Sequence, residues 1–332
     1  MPPRPSFRDL PCRPGDPPFS AWGLYGAEDQ LGALNLLTPE TTLAAARSEI
    51  QTGVRIPLDP PIDCLLTPAS GRAGLKHTIA RRGEDRAVHD DTVEFNTQIG
   101  PQWDGFRHVA YLKAKLFYNN TPLERISGAN PDPEWLGTQA WVQNGSIVGR
   151  GVLLDFHSYA QAKGIEYERT GPKADYPISL AELKDVAATQ GVQIRHGDIL
   201  FVRSGFWSAY HQLSGQEKRD WSAMEPPIWV GVETTANLAE FLWNSGIAAC
   251  AGDAPGWERI PNYNSPAEAG LKGLSLHEIM LGGWGMPIGE MFDLEALSEE
   301  CKRQGRWSFF VTSAPLHVRG GVGSPPNAIA IF

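Results

Sequence analysis

The stretch Phe95-Asn-Thr-Gln-Ile-Gly-Pro-Gln-Trp-Asp-Gly-Phe-Arg-His108 concentrates polar side chains of a kind that a buried strand avoids. Gln98, Gln102, Asp104 and His108 follow one another at intervals of four, two and four residues. Glycines within the stretch permit tight turns, so the four side chains can converge at the end of a strand. Oxygen and imidazole donors that converge in this way suit a divalent cation. The stretch therefore predicts a metal-binding or acid–base site.

The spacing of Asp104 and His108 is weak evidence when it is taken alone. The chain contains eight histidines, and an aspartate four residues before a histidine arises readily by chance in a sequence of this length. A hydrogen-bonded aspartate beside a structural or surface histidine explains the pair at least as well as a catalytic site does. The surrounding sequence has to decide between these two interpretations.

The stretch resembles the signature of the cyclase family, which includes bacterial kynurenine formamidase and isatin hydrolase and is written H-x-G-T-H-x-D-x-P-x-H. At the same spacing this chain has Gln98-x-Gly100-Pro101-Gln102-x-Asp104-x-Phe106-x-His108. The glycine, the aspartate and the last histidine match the signature. Gln98 and Gln102 stand where the family has two metal-ligating histidines, and Phe106 stands where it has proline.

Other segments of the chain are similar to the same family. His277 and Glu290 resemble the histidine and glutamate that complete the metal site of the family. Segments that resemble its long fungal and bacterial variants are Gln102-Trp-Asp-Gly105, Gly149-Arg-Gly-Val-Leu-Leu-Asp155, Ala251-Gly-Asp253 and Gly320-Gly-Val-Gly-Ser-Pro-Pro-Asn327, and Gly197 to Gly205 is similar to a family strand that ends in a turn. The resemblance extends over most of residues 20–332.

The resemblance implies a divalent-metal site, for Zn²⁺ or Mn²⁺, whose ligands are Gln98, Gln102, Asp104, His277 and Glu290. An amide oxygen is a weaker and harder ligand than imidazole, so the two glutamines leave three alternatives open. The site binds metal with amide oxygens or water completing the shell, it holds metal loosely, or it has lost metal. In the last case His108 would work alone as an acid and base.

His108 and Asp104 are the catalytic residues that the resemblance implies. The last histidine of the family signature acts mainly in proton transfer, although ligation of the metal is the alternative for His108. An imidazole close to its free pKa can take a proton from water and return it to a leaving group at neutral pH.

Three further residues are candidates for substrate contact. Trp103 and Phe106 lie within the motif and could line an apolar pocket for a ring-shaped substrate. Arg203 could bind a substrate carboxylate through two parallel hydrogen bonds. The alternatives are packing in the core for the two aromatic rings and a structural ion pair for the arginine.

Composition narrows the class of protein. The formal net charge of −9 leaves no basic stripe, which predicts that nucleic acid is not a partner. The Pro- and Arg-rich first residues contain no apolar core of a signal peptide, and no stretch approaches the roughly 20 apolar residues of a membrane span. Four widely separated cysteines predict reduced thiols rather than disulfides or a thiolate zinc site. We expect a soluble cytoplasmic protein.

The pattern of elements predicts a single α/β domain with a mixed sheet, preceded by an irregular arm over residues 1–20. Apolar runs predict strands over residues 92–97, 151–155, 198–203 and 247–251, and 60–90 reads as a long loop. Capping residues predict helices that start at Thr38, Ser179, Ser275 and Asp293, and 232–243 is a further predicted helix. By resemblance, residues 21–332 would form a swivelling β/β/α domain with outer helices, assembled as a homodimer or tetramer.

The expected function is hydrolysis of a small amide or lactone, cyclic in the favoured case, by metal-activated water with His108 as proton shuttle. Two alternatives come from other classes. The replaced histidines are compatible with a metal-free relative that binds a small ring without turning it over. The same scaffold could also support a lyase, or a cyclase that acts on a polyketide-like ring.

Overall fold

The computed structural model describes residues 4–261 and 270–332. Its strands are β1 (Arg55–Pro57), β2 (Lys76–Arg81), β3 (His89–Glu94), β4 (Gln102–Asp104), β5 (Leu116–Phe117), β6 (Thr121–Pro122), β7 (Ile147–Leu154), β8 (Pro177–Ile178), β9 (Ile199–Val202), β10 (Gly231–Val232), β11 (Ala249–Gly252), β12 (Ile288–Glu290), β13 (Ser308–Ser313), β14 (Gly323–Ser324) and β15 (Ala328–Ile331). Its α-helices are α1 (Pro39–Glu49), α2 (Leu123–Ser127), α3 (Gln139–Gln143), α4 (Phe156–Lys163), α5 (Leu180–Gln190), α6 (Phe206–Tyr210), α7 (Gly215–Ser222), α8 (Ala236–Asn244) and α9 (Glu295–Gln304), and Glu278–Trp284 is π-helical.

One mixed sheet of nine strands organises the fold, in the order β1-β15-β13-β7-β9-β11-β12-β4-β14. The central strands β7, β9, β11 and β12 are parallel, and the strands outside them pair antiparallel. Every residue of β9 and β11 is buried, which agrees with their continuous apolar sequences. The predicted mixed-sheet α/β domain is confirmed.

Local sequence signals located most of the predicted elements correctly. The predicted strands at 151–155, 198–203 and 247–251 correspond to β7, β9 and β11. The side chain of Thr38 accepts a hydrogen bond from the backbone of Thr41 and caps α1, and Ser179 forms a complete capping box at α5. The backbone N–H of Glu295 donates to the Asp293 side chain at the start of α9. These signals succeed because caps and apolar runs act within a few residues of chain.

Three predictions of elements need correction. The strand predicted over residues 92–97 instead runs over His89–Glu94, as β3, which pairs with β2 in a hairpin whose strand residues are all exposed. That hairpin lies largely inside the stretch expected to be a loop over 60–90. The helix predicted from Val232 begins at Ala236, since Gly231 and Val232 pair with β8 and Thr235 supplies the cap. The helix after Ser275 has its capping hydrogen bonds but continues in π geometry.

The N-terminal residues are irregular, apart from one 3-10 turn at Phe7–Asp9, and they pack on the body of the domain. Phe7 is buried, stacks on Phe19 and meets the ring of Trp284 edge-on. Residues 1–3 of the predicted arm and 262–269 of the predicted domain lie outside the described residues. Within the described part of the chain, no helix is long and apolar enough to cross a membrane.

A buried ion network ties the outer helix α1 to the sheet. Arg150 of β7 lies 2.7 Å from a carboxylate oxygen of Asp198 and 3.1 Å from one of Glu49, and all three residues are buried. Glu49 also pairs with Arg306, whereas Asp198 has Arg150 as its ion-pair partner. Arg150 therefore neutralises a charge that burial would otherwise make costly.

We expect the substitution Arg150→Met to lower the free energy of unfolding by about 3 kcal/mol, because it leaves the Asp198 carboxylate buried without a cation. Urea unfolding followed by circular dichroism measures the change. The matched control is Arg303→Met, which removes a pair on the surface of α9 and should cost less than about 1 kcal/mol. Equal losses in the two variants would contradict the prediction.

Candidate metal centre

The pairing of β4 with β12 places the motif of residues 95–108 beside the segment that contains Glu290. The two strands are antiparallel, with Gln102 opposite Glu290 and Asp104 opposite Ile288. Side chains alternate between the faces of a strand, so Gln102 and Asp104 share one face while Trp103 points to the other. Cross-strand partners share a face as well, and Glu290 therefore joins Gln102 and Asp104. Both carboxylates are buried, with Asp104 fully inaccessible.

His277 completes the group from the turn that opens the π-helical segment. Its Nε2 lies 3.1 Å from an oxygen of Glu290 and 3.6 Å from Oδ2 of Asp104. Its Nδ1 lies 2.8 Å from Oε1 of Glu258, a buried residue that also accepts hydrogen bonds from the backbone N–H groups of Leu276 and His277. A carboxylate behind the far ring nitrogen is the usual support of a metal-ligating histidine, since it leaves the other nitrogen free to ligate.

Asp104, His277 and Glu290 could hold a metal ion, because one ligand atom from each lies within 4.8 Å of the others. A cation would also bind a carboxylate oxygen that accepts no hydrogen bond and whose nearest imidazole nitrogens, of His277 and His108, lie 3.6 and 3.9 Å away. Oδ2 of Asp104 is buried and accepts no hydrogen bond in the described structure. Such an orphaned oxygen is costly unless a charge partner is bound. The donor set of two carboxylates and one imidazole fits Zn²⁺ or Mn²⁺.

The two glutamines hold the carboxylates from one side. The amide N–H₂ of Gln98 donates to Oδ1 of Asp104 at 2.7 Å, and that of Gln102 donates to Glu290 at 2.7 Å and to the Gln98 oxygen at 2.8 Å. Gln98 is thus engaged at both ends of its amide group. Oε1 of Gln102 is buried without a partner, so it is the amide oxygen that remains available to a ligand.

The close spacing of the two carboxylates around the imidazole of His277 shifts the pKa values of all three groups. Burial, and then the charge of Asp104, raise the pKa of Glu290 to about 7. Burial opposes the charge on Asp104, but His108 and His277 hold its pKa below the usual range. Burial also opposes a proton on His277, yet its carboxylate partners raise the pKa of the imidazole well above its ordinary value. Without a cation the group retains a proton that metal binding would displace.

His108 stands beside this group rather than within it. Its Nε2 is 3.9 Å from Oδ2 of Asp104, and 23% of its side chain is exposed. It lines a cavity of about 290 Å³ together with Gln98, Gln102, His277 and Glu290. The cavity wall also includes residues that the sequence did not indicate, among them Arg72, Trp229 and Glu258. Arg72 and Trp229 lie in segments without a local motif, and the proximity of Glu258 to His277 depends on long-range folding.

A family model described as "Putative cyclase" matches residues 36–259, which is more than half of the chain. A crystal structure of a novel cyclase is 30% identical, covers 94% of this chain and 99% of its own, and superposes with a TM-score of 0.79. The chain belongs to the cyclase family. Its fold and the resemblance carried by the motif are both confirmed by these matches.

More distant members of the same fold were found among solved structures. Isatin hydrolase A from Labrenzia aggregata, bound to benzyl benzoate, is 14% identical with a TM-score of 0.55 over 90% of this chain and 98% of that chain. Isatin hydrolase A from Ralstonia solanacearum is 15% identical with a TM-score of 0.57 over 89% of this chain and 98% of that chain. At these identities the likeness extends to the fold alone. No curated protein matched the chain in sequence.

In this cyclase-family chain the three residues predicted to contact substrate are not among those that line the cavity. Trp103 points to the core face of β4, where it packs on Phe292 and its indole N–H donates to Ser313. Phe106 is fully buried among other aromatic rings. Arg203 is occupied by ion pairs with Asp155 and Glu295. Arg203 is therefore the structural ion pair that the sequence left as an alternative.

We expect Glu258→Gln to weaken Zn²⁺ binding about 10- to 100-fold, because an amide no longer fixes the ring of His277 as an anionic acceptor does. Competition with a chromophoric chelator measures the affinity. The matched control is Glu278→Gln, a buried neighbour that bonds to Ser275 and Leu112 instead of the histidine. An unchanged affinity in Glu258→Gln, or an equal loss in the control, would contradict this role.

Proposed function

We propose that this chain is a metal-dependent hydrolase that cleaves a small amide or lactone, cyclic in the favoured case, with Asp104, His277 and Glu290 as metal ligands. The observation that carries the proposal is the Asp104–His277–Glu290 group, in which a buried oxygen of Asp104 accepts no hydrogen bond and Glu258 lies behind the histidine. The isatin hydrolases that share the fold support hydrolysis as the reaction class.

Each residue of the motif has a separate task in this proposal. Oε1 of Gln102 is a fourth ligand atom, since it is buried and has no partner. Gln98 orients Asp104 through its amide N–H₂. When bound, a divalent cation would polarise the substrate carbonyl and lower the pKa of water. Zn²⁺ and Mn²⁺ both suit this mixed nitrogen and oxygen donor set.

His108 is the proton-transfer group. It lines the cavity and keeps its imidazole partly exposed, so a water molecule and a substrate can both reach it. It can take the proton of the attacking water and return it to the departing nitrogen or oxygen. Its approach to Asp104 keeps the ring beside the ligand group, and the apolar part of the cavity wall limits access of bulk water.

Metal content per chain tests the ligand assignment. Elemental mass spectrometry of protein purified without chelator or metal-affinity resin should detect close to one Zn or Mn per chain, and Asp104→Ala should remove it. Asp90→Ala, on the exposed hairpin, is the control and should retain the metal. A wild type that is empty and takes up neither Zn²⁺ nor Mn²⁺ would overturn the metal-dependent mechanism.

The incorporation of ¹⁸O from labelled water distinguishes hydrolysis from elimination or cyclisation. A screen of ring amides and lactones identifies a substrate that is turned over, and mass spectrometry then measures the label in its product. Hydrolysis places one labelled oxygen in the new carboxyl group. A product without label would assign the site to a lyase or cyclase.

We expect His108→Gln to lower kcat by about 10²- to 10⁴-fold while metal content stays unchanged, because only proton transfer is removed. Steady-state kinetics on the same substrate, with elemental analysis of the same sample, measures both quantities. His317→Gln, an exposed histidine outside the cavity, is the control and should retain full activity. Loss of metal in His108→Gln would instead identify His108 as a ligand.

A further inference from the structure

Arg72 is a half-buried arginine on the wall of the cavity that contains His108, His277 and Glu290. Its guanidinium makes no hydrogen bond or ion pair with any residue that the structure describes. An arginine that is partly withdrawn from water usually has a carboxylate or carbonyl partner. A guanidinium without a protein partner, on a residue of the cavity wall, is therefore a feature that a bound anion would explain.

Two other arginines, Arg107 and Arg203, already have protein partners. Arg107 donates three hydrogen bonds to the backbone carbonyls of Asp132, Trp135 and Gly320. Arg203 is held between Asp155 and Glu295. The acidic residues that line the cavity do not form an ion pair with Arg72 either. Glu258 and Glu290 both pair with the imidazole of His277.

The backbone immediately before Arg72 forms part of the same wall. Ala69 and Ser70 line the cavity, and Ser70 to Gly71 have φ of +58° and +65°, a left-handed conformation that serine rarely adopts. This 3-10 turn ends at Gly71, so the direction of Arg72 is set by a tight turn rather than by a free loop. Unusual backbone conformations of this kind occur frequently at ligand sites.

The rest of the wall suits a flat apolar group. Leu65, Val109, Ile260 and Met291 line the cavity together with the indole of Trp229. The indole lies directly over Gly256, since a Cβ atom at that position would come within 2.5 Å of its Nε1. A volume of about 290 Å³ is at the lower limit for ligand sites, which favours a small single-ring compound.

We propose that Arg72 binds a carboxylate on the substrate, and that the substrates are ring-containing amides or lactones that carry an anionic group. This inference rests on the proposed function for the nature of the bond that is cleaved. Arg72 offers a guanidinium that no described residue occupies, whereas in the proposed function the carboxylates of Asp104 and Glu290 are engaged by the cation. The anionic end of the substrate therefore lies at Arg72, and the carbonyl to be cleaved lies at the ligand group.

Arginine suits this task because its planar guanidinium can donate two parallel hydrogen bonds to one carboxylate. The apolar surroundings strengthen such a charged pair relative to water. A charge-assisted hydrogen bond of this type changes affinity by about 10- to 100-fold. Arg72 acts on binding and orientation only, so it is a specificity-determining residue.

Binding of benzoate and of its neutral analogue benzamide tests the inference on the protein as purified. Ligand-observed NMR titration measures both dissociation constants for wild type, Arg72→Gln and Arg72→Lys. We expect wild type to prefer benzoate at least 10-fold, Arg72→Gln to lose that preference, and Arg72→Lys to retain part of it. The control is Arg47→Gln, an exposed arginine of α1 outside the cavity, which should behave as wild type.

Equal affinities of wild type for the two probes, or a benzoate preference that survives in Arg72→Gln, would overturn the inference. Circular dichroism of each variant establishes that it is folded before the titration is interpreted. The titration measures binding and does not require turnover. Its result is therefore independent of whether the protein is a hydrolase. A metal-free protein with an Arg72-dependent preference would reject the hydrolase mechanism and keep the anion site, and a metal-loaded protein without the preference would do the reverse.

Discussion

The antiparallel pairing of β4 with β12 is the constraint on which the site depends. It sets Gln102 against Glu290 across 188 residues of chain and places both carboxylates of the ligand group on one buried face. Two acids that approach each other away from water repel, and burial penalises each charge. The fold can retain this pairing only because a cation, in the form of protonated His277 or a metal ion, lies between them.

Hydrogen bonds from residues around the two strands offset part of this repulsion. Glu258 holds the far side of the His277 ring, and the amide groups of Gln98 and Gln102 donate to the acids from the opposite side. Oδ2 of Asp104 and Oε1 of Gln102 still accept no hydrogen bond. Two buried oxygens without hydrogen bonds can both donate electron pairs to a cation, which is the physical basis for regarding the site as a candidate metal centre.

The replacement of two family-type histidines by glutamines changes the chemistry of the site without opening it. Both side chains remain buried, and each keeps a hydrogen-bond donor directed at a carboxylate. An imidazole in the same position would offer a strong ligand nitrogen, whereas an amide offers one weak oxygen and two donors. In the proposed function the glutamines therefore position the two carboxylates through their amide donors, and Gln102 also keeps one weak ligand oxygen.

The sequence by itself determined the local elements and the chemical character of the motif. Thr38, Ser179 and the apolar run of β9 act over a few residues, so the helices and strands that they mark could be predicted. The family resemblance could also be recognised, because it rests on residue types at fixed spacing. Helix and strand limits were less accurate where pairing with a distant strand decided them, as at Val232, which joins β8.

Only the tertiary structure decided which way each side chain of the motif points. Trp103 and Asp104 are neighbours in sequence, yet strand alternation sends one to the core and the other to the cavity. Arg203 pairs with Asp155 and Glu295, which are 48 and 92 residues away, and no local pattern predicts such pairs. Arg72, Trp229 and Glu258 join the cavity for the same reason: the contacts that define a site form between segments far apart in the chain, and spacing within one segment cannot encode them.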